Sequence, residues 1–600
     1  MNKVACFLFI MTMQLTFAQL SVRNNAYVYV NNMALYVEDD VNIEENTAYI
    51  YLRNGSQLLQ GSGTTGNSGQ GRLSVFQTGT SNTYMYNYWC SPVGINSGSA
   101  GNTVFTPNVN FFYETAAPIS SSPFGFITGY NGTTTQIANY WLYTFTGTTA
   151  PPNDYQDWEG LGAGPGSLAT GGLANGTLAS GYGFTMKGNP SGAQKYDFRG
   201  RPNNGTITTT LNANRETLVG NPYPSAIDAR DFIHDTNNAA IIDSGTLSFW
   251  EQDPTQSTSH VLINYVGGYA TYTIDVTGTV ETFTPATFDT YNVDGTLNTT
   301  GGGSTSGKNV YRYIPIGQGF MVKGNGTGGT LRTTNAMRVF QKEAPTLSEF
   351  FRVGDNGRTE NQYNEEGMFM MPDGYKRFRL NIDFDDTYTR QLTQNFHHTA
   401  TAGEDYGLET ISPARLSSDV YWPNNDKAYN AQAFSFDVAL HIPLVLNINR
   451  SQLVRFRLFD IQNFDESQPI YLHDMDNDLY VDLRTQNYEL NLDAGNYANR
   501  FEITFTSNAL STEDISIDDF TVYQNNNLSE LHVLNPNQRE VKSINLFDVN
   551  GKQLFTKVDL PIAPKYEYST KHLSEGVYIV KITFESGQDL SKKIIVANKQ

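Results

Sequence analysis

The chain has 600 residues, room for about four domains, and its 39% hydrophobic and 13% aromatic content is enough to build packed cores, which excludes general disorder. A formal charge of −20, from 59 acidic against 39 basic side chains, excludes the clustered Lys and Arg that a nucleic-acid partner requires. Tyr (36), Phe (35) and Gly (53) are abundant, the composition of short strands joined by tight turns, so the predicted fold class is all-β and multidomain.

Residues 1–18, MNKVACFLFIMTMQLTFA, combine a cationic start at Lys3, an apolar run to Phe17 and small residues at Thr16 and Ala18 before Gln19. That pattern predicts a Sec signal peptide. No later stretch reaches the roughly 18 consecutive apolar residues of a membrane span, so no transmembrane span is expected. Cys6 lies at the front of the apolar run, where a lipoprotein cysteine would follow it. The mature chain keeps Cys90 alone, which has no internal disulfide partner and reads as a small buried hydrophobe.

From residue 19, AYVYVNNMALYVEDD and NTAYIYLRNGSQLLQ alternate bulky and polar positions, the period of half-buried strands that look short and stacked. A Gly/Ser/Thr loop at 60–71 interrupts them before RLSVFQTGT and TYMYNYWCSPVG. The strongest internal signal is a duplication. GYGFTMKG at 181–188 recurs as GQGFMVKG at 317–324, an offset of 136, and the Pro motifs at Trp89-Cys90-Ser91-Pro92 and Gly220-Asn221-Pro222 stand 130 apart. Two related β modules are therefore predicted, residues 19–210 and 211–345, each with a Trp strand, around Trp141 and Trp250.

Longer alternating strands from KRFRLNIDF to NRFEITFTS predict an antiparallel β-sandwich over residues 346–508. Residues 509–600 begin with the polar link YQNNNLSELHV and continue as two hairpins, SINLFDVNGKQLF turning at Asn550-Gly551 and LSEGVYIVKITFESGQDLSKKIIV turning at Ser586-Gly587. A seven-strand, Ig-like mini-sandwich is expected.

These last residues resemble the C-terminal sorting domain, of type C or type A, carried by proteins that the type IX secretion system of Bacteroidota exports. The matching elements are Leu546-Phe547-Asp548 with Gly551-Lys552, then Leu573-x-x-Gly576-Val577-Tyr578, and the basic pair Lys592-Lys593 before an apolar strand. The resemblance implies recognition by the translocon and its sorting machinery, passage through the outer membrane after Sec export, and release or attachment to surface lipopolysaccharide. The body, through YNYWCSPVG, LVGNPYPSAID, IPIGQGFMVKG, TYTRQLTQNF and AGNYANRFEITF, resembles large flavobacterial surface proteins. That resemblance implies an adhesin-like role, including the surface adhesion of gliding motility, and no biochemical activity travels with it.

Chemistry is sparse. GGSTSGKN at 302–309 nearly matches a P-loop through Gly302, Gly307 and Lys308, but Asn309 replaces the magnesium-binding hydroxyl and a strand follows where a helix is needed. Asp474, Asp476 and Asp478 alternate as calcium ligands do, but without the Gly and distal Glu of an EF-hand; a polar hairpin turn is the competing reading. His397, His398 and Asp419 form no metal motif, and neither a Gly-x-Ser-x-Gly elbow nor a Cys-x-x-Cys pair occurs. Acidic residues are numerous, yet nothing singles out a glycosidase pair. Trp89, Trp141, Trp158, Trp250 and Trp422 read as core, with Trp158, in DYQDWEG, the exception aimed at a glycan. The expectation is a non-enzymatic interaction protein with no cofactor beyond a calcium candidate, secreted or held at the cell surface, its partners glycans or other surface proteins. The alternative is a secreted carbohydrate-binding or polysaccharide-degrading protein.

Overall fold

The structure is a computed structural model describing residues 19–61, 63, 65–148, 157–163, 171–290, 308–344, 348, 350, 363–364, 368–385, 387–413, 416–424, 426–507, 520–549, 551–585 and 589–597. The predicted signal peptide, most of the P-loop-like segment, Asn550 and the Ser586-Gly587 turn lie outside the described residues. Strands dominate, and the described α-helices have four or five residues. None is long and apolar enough to cross a membrane. The chain divides into two units, Met1–Thr506 and Ser507–Gln600.

The first unit begins as a parallel stack. Leu20–Val22, Tyr27–Asn31 and Ala34–Val37 form one rung, and each pairs in parallel with its counterpart in the next: Val41–Ile43, Tyr49–Arg53 and Gln57–Gln60. Arg72–Gly79 continues the stack on Tyr49–Arg53. The corners fall at Asn24, Asn25, Asn32 and Asn54, all with φ between +54° and +62°; asparagine tolerates that left-handed backbone better than other residues with a Cβ. Val30, Ile50, Leu52, Leu73 and Val75 line the interior. Arg72–Gly79 then pairs antiparallel with Gln194–Pro202, which carries the sheet on to Phe111–Ala116.

The two copies of the duplicated motif occupy matching places. In the first module the sheet order is Tyr86–Cys90, Gly183–Lys187, Tyr143–Phe145, Trp158–Gly160; in the second, Glu216–Gly220, Gly319–Gly324, Ile242–Gln252, Val266–Ile274. The registers agree as well, with Cys90 opposite Gly183 and Gly220 opposite Gly319. The modules interlock reciprocally, because Trp89 bridges Gln318 while Tyr182 bridges Val219. Trp141 stands in a short 3-10 turn before its strand and Trp250 within its own, so the two tryptophans are not equivalent in register.

The strands from Lys376–Phe384 to Gly495–Thr504 make one hydrogen-bonded sheet of eleven. It is antiparallel except where Tyr388–Phe396 runs parallel to Lys427–Phe434. Its inward residues, among them Phe378, Trp422, Leu444, Phe456 and Phe501, converge on one core, so the expected antiparallel sandwich takes the form of one continuous sheet nearly closed into a barrel. This sheet meets the second module across buried polar groups: Asn430 donates to Thr271 at 2.9 Å and Asn395 to Thr282 at 2.9 Å. These buried polar groups are satisfied across the junction, and Tyr406 packs on the second module's core beside them.

The described residues of the second unit form seven strands in two antiparallel sheets, three in one and four in the other, around a core that includes Leu531, Ile544, Leu546, Val580 and Ile582. The segment read as a polar link is structured: Thr521–Asn525 and Glu530–Leu534 form the first hairpin. Its Asn-rich turn hid two short strands whose inward residues are only Val522, Leu531 and Val533.

Candidate functional site

The two modules meet along an aromatic seam. Its first part is built from the sheet order just described, which puts Tyr88, Phe145 and Trp158 of one module beside Trp250, Tyr269 and Met321 of the other. Tyr88 stacks parallel to Trp250 at 6.3 Å, its hydroxyl lies 2.8 Å from that of Tyr269, and Trp158 sets its edge against Phe145 at 4.9 Å. Trp158 and Trp250 are half-buried, whereas Trp89, Trp141 and Trp422 are core residues.

The second part surrounds Lys187, whose side chain leaves the sheet where Tyr86 is its direct neighbour. Its ammonium lies 3.6 Å from the Trp141 ring centroid, 4.8 Å from Tyr86 and 4.6 Å from Tyr265, and donates to the Tyr265 hydroxyl at 2.5 Å. His260, stacked on Trp141 at 5.0 Å, places Nδ1 3.4 Å from the amine and Nε2 2.6 Å from Asn131. Lys187 is 5% exposed, and burial pulls its pKa down to about 6. His260 is pulled down to about 4, by burial first and then by the charge of Lys187. Three ring faces favour an ammonium while desolvation opposes it; with only a phenol and an imidazole as hydrogen-bond partners, desolvation wins. Aromatic edges and faces with one tunable amine suit recognition of apolar or ring-shaped groups by stacking.

Sequence reasoning missed this cage. The signal was present in the duplication: Lys187 matches Lys323 in the second motif, yet Lys323 is 41% exposed and points at Asp243, 3.6 Å away. One repeat sets its lysine beside a carboxylate and the other surrounds it with rings.

The other sequence-predicted residues stand apart from the seam's chemistry. Asp474, Asp476 and Asp478 do not converge. The buried Asp474 carboxylate accepts from Arg500 Nε and Nη2, both at 2.9 Å, from Tyr488 at 2.7 Å and from Asn477 at 2.7 Å. Burial works against ionisation there, but these donors hold its pKa down to about 2. Asp476 is 3.4 Å from Arg500, and Asp478 is 91% exposed at φ +47°, so the run is a fastened hairpin turn. His397 stacks on both His398 and Tyr375, while Asp419 is held bidentately by Arg390 at 2.8 and 2.9 Å; they form no shared site. Lys308 is half-buried with Glu251 Oε1 3.7 Å away.

In the second unit, Leu546 and Tyr578 are core residues, and Asp548 closes the Gly551-Lys552 turn by accepting from the Lys552 N–H at 2.9 Å. Gly551 has φ +77°, a conformation natural to glycine. Asp548 pairs with Tyr578, and the Tyr578 hydroxyl donates to the Ser574 carbonyl. Gly576 begins the neighbouring strand, whose Ile579 and Val580 pair with Lys593 and Lys592. Cys90 is buried, and burial pushes its thiol pKa up.

Residues 8–505 match the family described as Domain of unknown function (DUF8693), and residues 510–596 match one described as Domain of unknown function (DUF8694). No curated protein matches. Among solved structures, the chain is similar to CopC from Methylosinus trichosporium OB3b at 16% identity, covering 14% of this chain and 89% of that one with a TM-score of 0.11.

Proposed function

The chain belongs to the DUF8693 family, and from that premise we propose that it is an exported, adhesin-like interaction protein, secreted or displayed at the cell surface, without catalytic activity. Its route is Sec export followed by the type IX translocon, and residues 507–600 are its address. What supports the address is the way Leu546, Asp548, Gly551, Lys552 and Tyr578 divide between core and turn of a unit with its own core. Such residues set the shape of a small sandwich rather than a reaction.

The observation that carries the interaction role is the aromatic seam between the modules, where Trp158 and Trp250 remain half-buried on a rigid pair of sheets. Rigid aromatic surfaces bind with little conformational cost. Residues 19–506 immobilised on a surface are to be tested against whole cells, surface lipopolysaccharide and a glycan array; retention that Trp158→Ala abolishes is the expected result, and equal retention by the variant counts against the seam.

A second reading, secreted carbohydrate binding, rests on the same two tryptophans, because indole faces stack on sugar rings. The glycan array separates it from protein adhesion. Turnover of any polysaccharide would overturn the non-catalytic reading.

A further inference from the structure

The Ser507–Gln600 unit carries a different grouping. In its three-stranded sheet Leu531, Val533, Tyr566 and Tyr568 face the core, so the alternate residues Glu530, His532 and Glu567 share the outer face. His532 is directly opposite Glu567 on one side and Tyr523 on the other, and the Tyr523 ring stacks on the imidazole at 5.0 Å and 11°. Beneath that ring His532 is only 3% exposed, although it lies on the outer face. Both ring nitrogens are buried and neither makes a hydrogen bond. Glu567 Oε1 stands 3.0 Å from Nδ1, and Glu530 Oε2 stands 3.4 Å from Nε2. The two carboxylates face the ring nitrogens at ion-pair distance but make no hydrogen bond to them, which leaves this buried imidazole able to take a further partner.

The geometry points to a binding site for a divalent first-row transition ion, with His532, Glu567 and Glu530 as its ligands. One imidazole nitrogen with carboxylate oxygens suits Zn2+ and its neighbours, whereas Ca2+ takes oxygen ligands alone. Bonds of about 2.0–2.1 Å place two ligand atoms roughly 3.0–3.4 Å apart on one ion, and the pair formed by Nδ1 and Glu567 Oε1 already has that span. The three ligand atoms lie within 4.8 Å of one another. The Glu530 side chain is 38% exposed, so its carboxylate has room to move toward an ion held by the other two. Lys565 is the resident cation on Glu567, and the incoming ion displaces it. His532 and Glu567 come from adjacent strands, so the ion would staple Glu530–Leu534 to Lys565–Ser569.

Untagged full-length protein titrated with ZnCl2 by calorimetry tests the site, alongside His532→Ala, Glu567→Gln, Lys565→Met and, as a control for other histidines, His397→Ala. One Zn2+ per chain is expected, bound at least about tenfold more weakly after His532→Ala or Glu567→Gln, more tightly after Lys565→Met, and unchanged after His397→Ala. Zinc should also raise the melting temperature of the wild type, and continue to raise it as its concentration exceeds the dissociation constant. Absence of wild-type binding, or binding that survives both ligand substitutions, overturns the assignment. Glu567→Gln is a near-isosteric change at a side chain 45% exposed, so it decides the matter even where His532→Ala fails to fold.

Discussion

Cys90 and Gly220 hold corresponding positions in the two modules, and a Cβ built on Gly220 would lie 2.5 Å from the Cβ of Cys90. The interlock between the modules therefore tolerates a side chain on one side only. The same added Cβ would stand 2.3 Å from the Gln318 carbonyl oxygen, a backbone atom that cannot rotate away. Gly220→Ala is expected to cost about 1–3 kcal/mol, read as a lower melting temperature for residues 1–506. Native Cys90 should resist a thiol reagent that labels it fully after denaturation.

Lys187 predicts a pH dependence. Its folded pKa is about 6, against about 10.4 in an unfolded chain, so between those values the unfolded state binds more protons. Stability then rises with pH across that window and falls as pH drops toward 6. Lys187→Met is expected to flatten this slope and raise the melting temperature at pH 7. A Met variant that melts lower with an unchanged slope would show that the rings hold an ammonium after all.

Asp474 predicts the opposite case. Its pKa is held at about 2, below an ordinary value near 3.9, so its contribution is present above about pH 4 and lost as pH falls through 2. Removing one partner of this pair leaves the other uncompensated, and Arg500→Met should cost about 3 kcal/mol or more. Because the Asp474 carboxylate is taken up by five donor atoms, the fifth being the Asp476 N–H at 3.2 Å, millimolar calcium should leave the melting temperature unchanged; an upward shift that Asp476→Asn abolishes would restore the calcium reading.

Trp158→Ala should abolish retention of the ligand while shifting the melting temperature modestly, since the ring is half-buried and touches Phe145 and Tyr88 at its edge. Trp422→Ala, at a fully buried core position, should instead unfold the eleven-stranded sheet, with a cost of about 3–5 kcal/mol. Matching losses of stability in both variants would argue that the seam is core alone.

Much of the fold was legible because strand alternation is local. Tyr27–Asn31 and Tyr49–Arg53 show it plainly and read as short and stacked, but alternation does not say whether two strands run parallel. The duplication was legible down to register, since its glycines are needed where strands approach closely: a Cβ on Gly183 or Gly319 would meet backbone atoms of Trp89 at 3.0 or 2.8 Å. The Lys187 cage was not legible, because Tyr265 and His260 come from the other module. His532 was hidden in a stretch whose polarity reads as a linker, although its alternate residues face a core.

Cell fractionation of the source bacterium, in the wild type and in a strain lacking the type IX translocon, tests the central claim most directly. The account predicts protein outside the outer membrane in the first and retained in the periplasm in the second. The same distribution in both strains, or retention in the cytoplasm, would contradict it.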